Sequence, residues 1–535
     1  MVKKLKRLRL RVNQLISHTQ NDRKISKIAE GINKHATLAN QSPVIFFNAS
    51  TRIKGMSLNA GFSLLTAWIL KLQGVPVVQF ICDAGMSYCM LGSILNQPTD
   101  KPPCSVCVAQ SKKMYTNIDI RWVKFKPSLR VIEATNNLSV AELSIFQFEE
   151  MPLGDLVLPS LRWVLRRYHL TDNEETRFLF QQYIISAESI ARQFTDLIIE
   201  IKPQKVVVFN GMSFPEAVVR WVSLQKSIPV ITHEVGLQPF SAYFSNDQAT
   251  AYPIQIQDFF SLSESQNTKL DEYLDLRFKG KFSMAGVNFW PTMKELSSSF
   301  LERAKKFKQI VPVFTNVIFD TSQSHANIIF DHMFDWLDCV LDIIVKHPET
   351  LFVIRAHPDE ARPGKASNEN VASWAKSHRI ESYDNVVFVD ATEHFSSYEL
   401  IQKSKFVLIY NSTIGMEATV LGIPVISGGK SRFTQIPIVF FPDSKQAFVE
   451  KVEEFLTAND IVVPQEFITN VRRFLYTQLY KVSLPFGEFL EEDHVWDGYV
   501  KIKDFSWDHL LPENSVVAQT LVNGIMKDER FEIDQ

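Results

Sequence analysis

Five short apolar runs separated by helix-length stretches restrict the fold of this chain more than any other feature. Val311 to Phe319, Leu351 to Ile354, Val386 to Val389, Phe406 to Tyr410 and Pro424 to Ile426 read as strands. Between them, Ile328 to Lys346, Val371 to Ser377, Tyr398 to Gln402 and Gly415 to Leu421 read as helices. Such alternation builds a parallel sheet with helices on both faces, and five strands complete one Rossmann-like half.

A second alternating stretch precedes it. Pro43 to Asn48, Val75 to Cys82, Lys205 to Asn210 and Ile228 to Thr232 read as strands, with Leu58 to Leu72 and Phe214 to Gln225 as helices. A helical insert lies between. Its clearest member opens at Thr171-Asp172-Asn173-Glu174, where Thr171 and Glu174 have capping-box spacing, and runs to about Glu200 before Pro203. The expected organisation is a basic N-terminal segment (1–40), a first Rossmann-like domain (41–290), a second (300–460) and a helical C-terminal extension (461–535). Phe282 to Thr292 reads as the linker. Two such α/β domains would face each other across a cleft, where the strand ends converge and ligands bind.

Composition narrows the class. At 535 residues the chain exceeds a single core. A formal net charge of -2 gives no basic field, which argues against nucleic acid as a partner. No apolar run reaches the roughly 18 residues of a membrane span. Six Lys or Arg fall in the first eleven residues without a following apolar signal region, so a cytoplasmic location is expected. Leu5, Leu8, Val12 and Leu15 recur at helical spacing beside those charges. That pattern suits either a frayed basic terminus or a helix resting on the inner face of an anionic membrane.

Two motifs carry the candidate chemistry. In Tyr410-Asn411-Ser412-Thr413-Ile414-Gly415-Met416-Glu417 a strand gives way directly to a helix. Its first amides, with the Ser412 and Thr413 hydroxyls, suit an anion, and Glu417 could reach back to those amides or out to a ribose. The plainer reading is that Ser412 only caps the helix. Two βα units earlier, Arg355-Ala356-His357-Pro358-Asp359-Glu360 follows a strand, and Pro358 fixes a loop at the sheet's C-terminal edge. Arg355 and His357 would then face a ligand phosphate.

This pair of motifs, Arg-x-His-Pro-x-Glu and Asn-Ser-Thr-x-Gly-x-Glu-Ala, resembles the capsule polysaccharide biosynthesis family of GT-B glycosyltransferases, firmly over Val311 to Phe433. The resemblance implies a nucleotide-sugar donor and a glycan or glycolipid acceptor. It also implies a donor phosphate at His357 and a nucleotide at Ser412, Thr413 and Glu417, with Arg355, Asn411 and Gly415 in the same binding set. The acidic-acidic-Gly motif that supplies the base in related sialyl and Kdo enzymes has no clear copy. Other readings of the same motifs are a teichoic-acid-type glycerophosphotransferase, a sugar-nucleotide 2-epimerase and a non-catalytic subunit of a polysaccharide assembly complex.

Inverting transfer needs a base on the acceptor side. Glu234, in Thr232-His233-Glu234-Val235-Gly236 after a strand, is the first candidate. Asp83, in Cys82-Asp83-Ala84-Gly85, is the second. Asn210-Gly211-Met212 ends another strand and either admits a ligand or simply turns the chain. No Asp-x-Asp motif stands at a strand end, so transfer is expected to need no metal cofactor. Cys82, Cys89, Cys104 and Cys107, four of the chain's five cysteines, are separately compatible with a structural zinc or iron–sulfur centre, with disulfides, or with plain thiols.

Overall fold

The computed structural model describes residues 2–49, 55–91, 97, 99–257, 260–279, 294–362, 364, 366–495 and 498–534, with side chains from residue 12 onward. The expected linker, Phe282 to Thr292, lies outside the described residues.

The first sheet takes β1 (Val44–Phe47), β2 (Val77–Cys82), β3 (Asp119–Val123), β4 (Lys205–Phe209), β5 (Val230–Val235) and β6 (Ser241–Ser245). The second takes β7 (Gln309–Phe314), β8 (Thr350–Arg355), β9 (Val386–Val389), β10 (Val407–Ile409) and β11 (Val425–Ser427). The second sheet runs 11-10-7-8-9 and is parallel throughout. The first runs 6-5-4-1-2-3 and is parallel apart from β6, which pairs antiparallel with β5. The two therefore share one Rossmann-like order, in which the third strand reached along the chain sits at one edge and the first lies beside the fourth.

Buried on both faces, these strands read as continuous apolar runs, yet they still alternate. Val44 and Phe46 join one core cluster while Ile45 and Phe47 join the cluster on the opposite face. Phe352 and Ile354 pack on one side of the second sheet, Leu351 and Val353 on the other. Helix Leu58–Leu72 is buried at every residue from Ala60 to Leu70 because it is covered on both sides. Behind it lie the N-terminal helix and the helix Val516–Met526.

Three expectations change. The N-terminal segment is not a separate frayed piece: helix Val2–His35 is continuous, and Ile25, Ile28, Ala29 and Ile32 are buried in the first domain's core. The last 75 residues are not a helical extension throughout, nor do they stay on the second domain. Helix Gln465–Tyr476 packs there, but β12 (Leu484–Pro485) then pairs antiparallel with β6. β13 (Leu490–Glu492) and β14 (Val500–Ile502) follow and pack near the N-terminal helix. The long insert helix is Glu174–Ile201, and its cap is Asn173, whose side chain accepts from the Thr176 amide; Thr171 instead accepts a hydrogen bond from Arg167. Among the described residues no helix is long and apolar enough to cross a membrane.

Candidate functional site

In each sheet the loops after the first and fourth strands open the crevice where chain direction switches, and there ligands bind in open α/β sheets. In the second domain that crevice is spanned by hydrogen bonds between the segment after β7 and Asn411. Asn316, just after β7, donates through Nδ2 to Asn411 Oδ1, just after β10, at 2.7 Å. The first domain closes over it. A cavity of about 380 Å³ lies between the two, lined from the first domain by Trp163, Arg166, Asp247 and Thr250, and from the second by Asp320, His325, His357, Ser412, Thr413 and Arg432 among others.

His357 stands at the end of β8, where Pro358 starts a single 3₁₀ turn (Pro358–Ala361). Its Nδ1 accepts the Asp359 amide at 3.2 Å, which makes Nε2 the proton-bearing nitrogen of the neutral ring. Burial pushes the imidazole pKa down, so the ring is neutral near pH 7. Ser412 and Thr413 line the same cavity. Thr413, not Ser412, is the N-cap residue of helix Ile414–Val420, and its side chain makes no capping bond. The helix spans seven residues, so its dipole is a minor attraction beside His357 and the hydroxyls.

The other motif residues have different partners. The Arg355 guanidinium donates to the Asp390 carbonyl at 2.6 Å and the Glu393 carbonyl at 3.0 Å, fixing the loop after β9. It lines only a smaller cavity of about 70 Å³ behind His357. Glu417 reaches neither the helix amides nor the 380 Å³ cavity, because it is buried in an ion pair with Arg277 and accepts the Tyr398 hydroxyl. Gly415 is a packing position: a Cβ there would lie 2.5 Å from Ile409 Cδ1. Glu360, also buried, holds the Val371 amide and is pushed up to about 8 by burial.

In the first domain Glu234, near the end of β5, is partly buried and is not among the residues that line the 380 Å³ cavity. Its carboxyl is pushed up to about 7, first by burial and further by the Asp320 carboxylate. Hydrogen bonds from the Val235 amide and from the Asn210 and Asn59 side chains offset part of that rise. Neighbouring His233 points the other way. It is fully buried against Phe209 and Phe244, both ring nitrogens lack partners among the described residues, and burial drives it down to about 3. Gly211 turns the chain after β4 with φ +71°, and a Cβ would crowd Arg220 at 2.7 Å, so the turn alone accounts for it.

Asp83 does not line the cleft. Its amide bonds the Val123 carbonyl and its carboxylate faces Lys124 at 3.8 Å. Beside it Cys82, Cys89, Cys104 and Cys107, none of them in a disulfide, line one cavity of about 30 Å³. Burial raises the Cys82 thiol to about 12. Among the described residues no group of three or more His, Cys, Asp or Glu is disposed to hold a metal ion, so the thiols as they stand form no ligand set.

Sequence reasoning missed several cleft residues. Arg166, Asp247, Asp320, His325, Lys430 and Arg432 all line the cavity, and none lies in either motif. Lys430 and Arg432 carried one usable signal, since Lys430 directly follows Gly428 and Gly429 beyond β11 and Arg432 lies two residues further on. The others sit in loops of no distinctive spacing.

No curated protein sequence matches the chain. Among solved structures it is similar to two KpsC transferases of Thermosulfurimonas dismutans. For the β-Kdo 2,4 transferase the identity is 12%, covering 58% of this chain and 87% of that one, with a TM-score of 0.35. For the β-Kdo 2,7 transferase the figures are 14%, 58%, 85% and 0.34. It is also similar to a UDP-GlcNAc 2-epimerase from Neisseria meningitidis bound to UDP-GlcNAc, at 13% identity over 82% of this chain and 99% of that one, TM-score 0.25. TM-scores this low carry no argument about chemistry. The sequence of the second sheet is more specific: residues 292–438 match the family described as capsule polysaccharide biosynthesis protein. Over those residues, about a quarter of its length, the chain is similar to the capsule polysaccharide biosynthesis family.

Proposed function

We propose that the protein is a GT-B glycosyltransferase that moves a sugar from a nucleotide-activated donor to a growing surface glycan or glycolipid. One observation carries this reading. His357 and the Ser412-Thr413 pair come from separate βα loops, yet line a single cavity under the first domain. A phosphate there would accept from the His357 Nε2–H and from two hydroxyls.

The proposed chemistry draws one residue from each domain. Glu234 takes the proton of the acceptor hydroxyl as its oxygen attacks the anomeric carbon. The bond from that carbon to the donor phosphate oxygen breaks, and the departing phosphate keeps the electron pair. A neutral imidazole steadies that charge by donating a hydrogen bond, and no metal is required for it. A carboxyl poised near pH 7 suits a general base, since about half of it is ionised there and it is basic enough to accept the proton.

Two further parts of the proposal are separable. The basic N-terminus rests on an anionic membrane surface at the cytoplasmic face, a reading drawn from sequence because the side chains of residues 1–11 lie outside the described residues. A zinc or iron–sulfur centre at the four thiols requires them to turn toward their shared cavity. Metal analysis of protein prepared without chelator tests it, and less than about one-tenth of an equivalent ends it.

The transferase reading is tested by a thermal-shift panel of CMP, UDP, GDP, TDP and CDP. Binding to the folded state raises stability by mass action, so one nucleotide should stand apart. If none shifts the transition and no donor is turned over or hydrolysed, the reading is lost.

A further inference from the structure

Arg166 is a charged side chain the motifs do not account for. It ends helix Leu153–Leu165 as its C-cap, in the left-handed region at φ 56°. Only 5% exposed, it still lines the cleft between the domains. Its Nε and Nη1 have no hydrogen-bond partner among the described residues. Its guanidinium lies over the Trp163 ring at 3.9 Å and 5.4 Å from the Phe319 ring centroid. No carboxylate among the described residues forms an ion pair with it, although Asp247, Asp320 and Asp359 line the same cavity. Its backbone, by contrast, is well held: the Arg166 carbonyl accepts from the Asn368 amide at 2.9 Å and the Glu369 amide at 3.3 Å, both in the second domain.

A buried guanidinium without a counter-ion is costly, and such charges are normally paired. Here the aromatic faces of Trp163 and Phe319 orient the fork without neutralising it. The backbone bonds fix its position relative to the second domain. Burial drives the guanidinium down to about 10 without removing its charge near pH 7. An oxyanion entering the cleft would meet the edge of the guanidinium that lines it and supply the missing counter-charge, and the planar group suits carboxylate and phosphate alike.

We infer that Arg166 is the first domain's anion-binding residue, taking a phosphate or carboxylate oxygen of the bound substrates as its counter-ion. This rests on the transferase reading only for the identity of the substrates. The anion is either the donor phosphate, then gripped from both walls, or a carboxylate on one of the sugars.

The test uses the full chain and two probes, inorganic pyrophosphate and glucuronate, titrated calorimetrically against wild type, R166M, R166K and H357A. R166M should weaken binding of one probe by about tenfold or more while its ligand-free melting temperature stays level or rises, because an unpaired buried charge has been removed. Loss confined to pyrophosphate identifies the donor phosphate as the counter-ion; loss confined to glucuronate identifies a sugar carboxylate. Should R166M fold poorly, R166K carries the test, since lysine keeps the charge but not the fork and should weaken the same probe several-fold. Unchanged affinity for both probes in the folded variant overturns the inference. H357A separates the two claims. If it loses pyrophosphate while R166M and R166K keep both probes, the transferase reading stands and this inference falls.

Discussion

Arg277 and Glu417 form a buried ion pair, with Nη2 at 2.5 Å and Nε at 2.8 Å from the same carboxylate oxygen. It ties helix Glu264–Phe278 to the first turn of the helix that begins just after Ser412 and Thr413. A glutamate that looks in sequence like a nucleotide ligand is thus a strut behind the site.

Removing one partner of that pair should be worse than removing both. E417Q leaves the guanidinium buried without its counter-charge and should lower stability by about 3 kcal/mol or more, whereas the double variant R277M/E417Q should lose less than the two single losses added. Urea unfolding of the four proteins measures the coupling. Additive losses would mean that the pair does not act as a unit.

His357→Ala should reduce turnover at saturating donor by roughly 10² or more, because the lost hydrogen bond acts where charge develops on the leaving phosphate. Turnover unaltered at saturating donor would remove His357 from the chemistry.

Glu234 makes a prediction in pH. With its carboxyl raised to about 7, kcat/KM should fall as pH drops through that value, and E234Q should lose the pH limb along with about 10² to 10⁴ of the rate. Stability carries the opposite sign. The folded protein holds this proton more tightly than the unfolded chain does, so the contribution is fully present below the ordinary carboxyl range and fades as pH rises to about 7. E234Q should therefore be more stable than wild type at pH 8, by on the order of 1–3 kcal/mol, and no more stable at pH 4. Equal stability at both pH values would count against a raised carboxyl.

His233 should make the fold acid-sensitive. Its ring is held neutral down to about 3, whereas an unfolded histidine protonates near its ordinary value of 6.5. Stability from this group is therefore present above that value and is lost as pH falls toward 3. Replacement by Gln, which does not titrate, should flatten that part of the stability–pH curve. A wild-type curve with no slope there would contradict the neutral buried ring.

The cysteine cavity predicts an order of reactivity. Cys82, raised to about 12, should be alkylated by iodoacetamide far more slowly at pH 8 than Cys104, whose thiol is less deeply buried. Mass mapping of partly labelled protein reads that order, and preferential labelling of Cys82 would reverse the picture.

The sequence by itself determined the strands and helices of the second sheet. Val386 to Val389 and Val371 to Ser377 fall where the structure has them, and the other strands there differ by a few residues at their ends. It also placed His357 and Ser412 at strand ends facing one crevice. Local pattern suffices for this, because a parallel strand buried on both faces must be an unbroken apolar run and its C-terminal loop must lie at the binding edge. The first sheet was half legible. β3, with only Val123 fully buried, and the antiparallel β6 carry no strong run, so only their partners define them. Tertiary structure alone decided what each polar side chain does. Glu417 and Arg355 look like ligand residues until Arg277 and the Asp390 and Glu393 carbonyls occupy them, and Arg166 looks unremarkable until folding leaves it buried without a partner. Periodicity follows from neighbours along the chain, whereas the charge state and partners of a buried group depend on residues tens to hundreds of positions away.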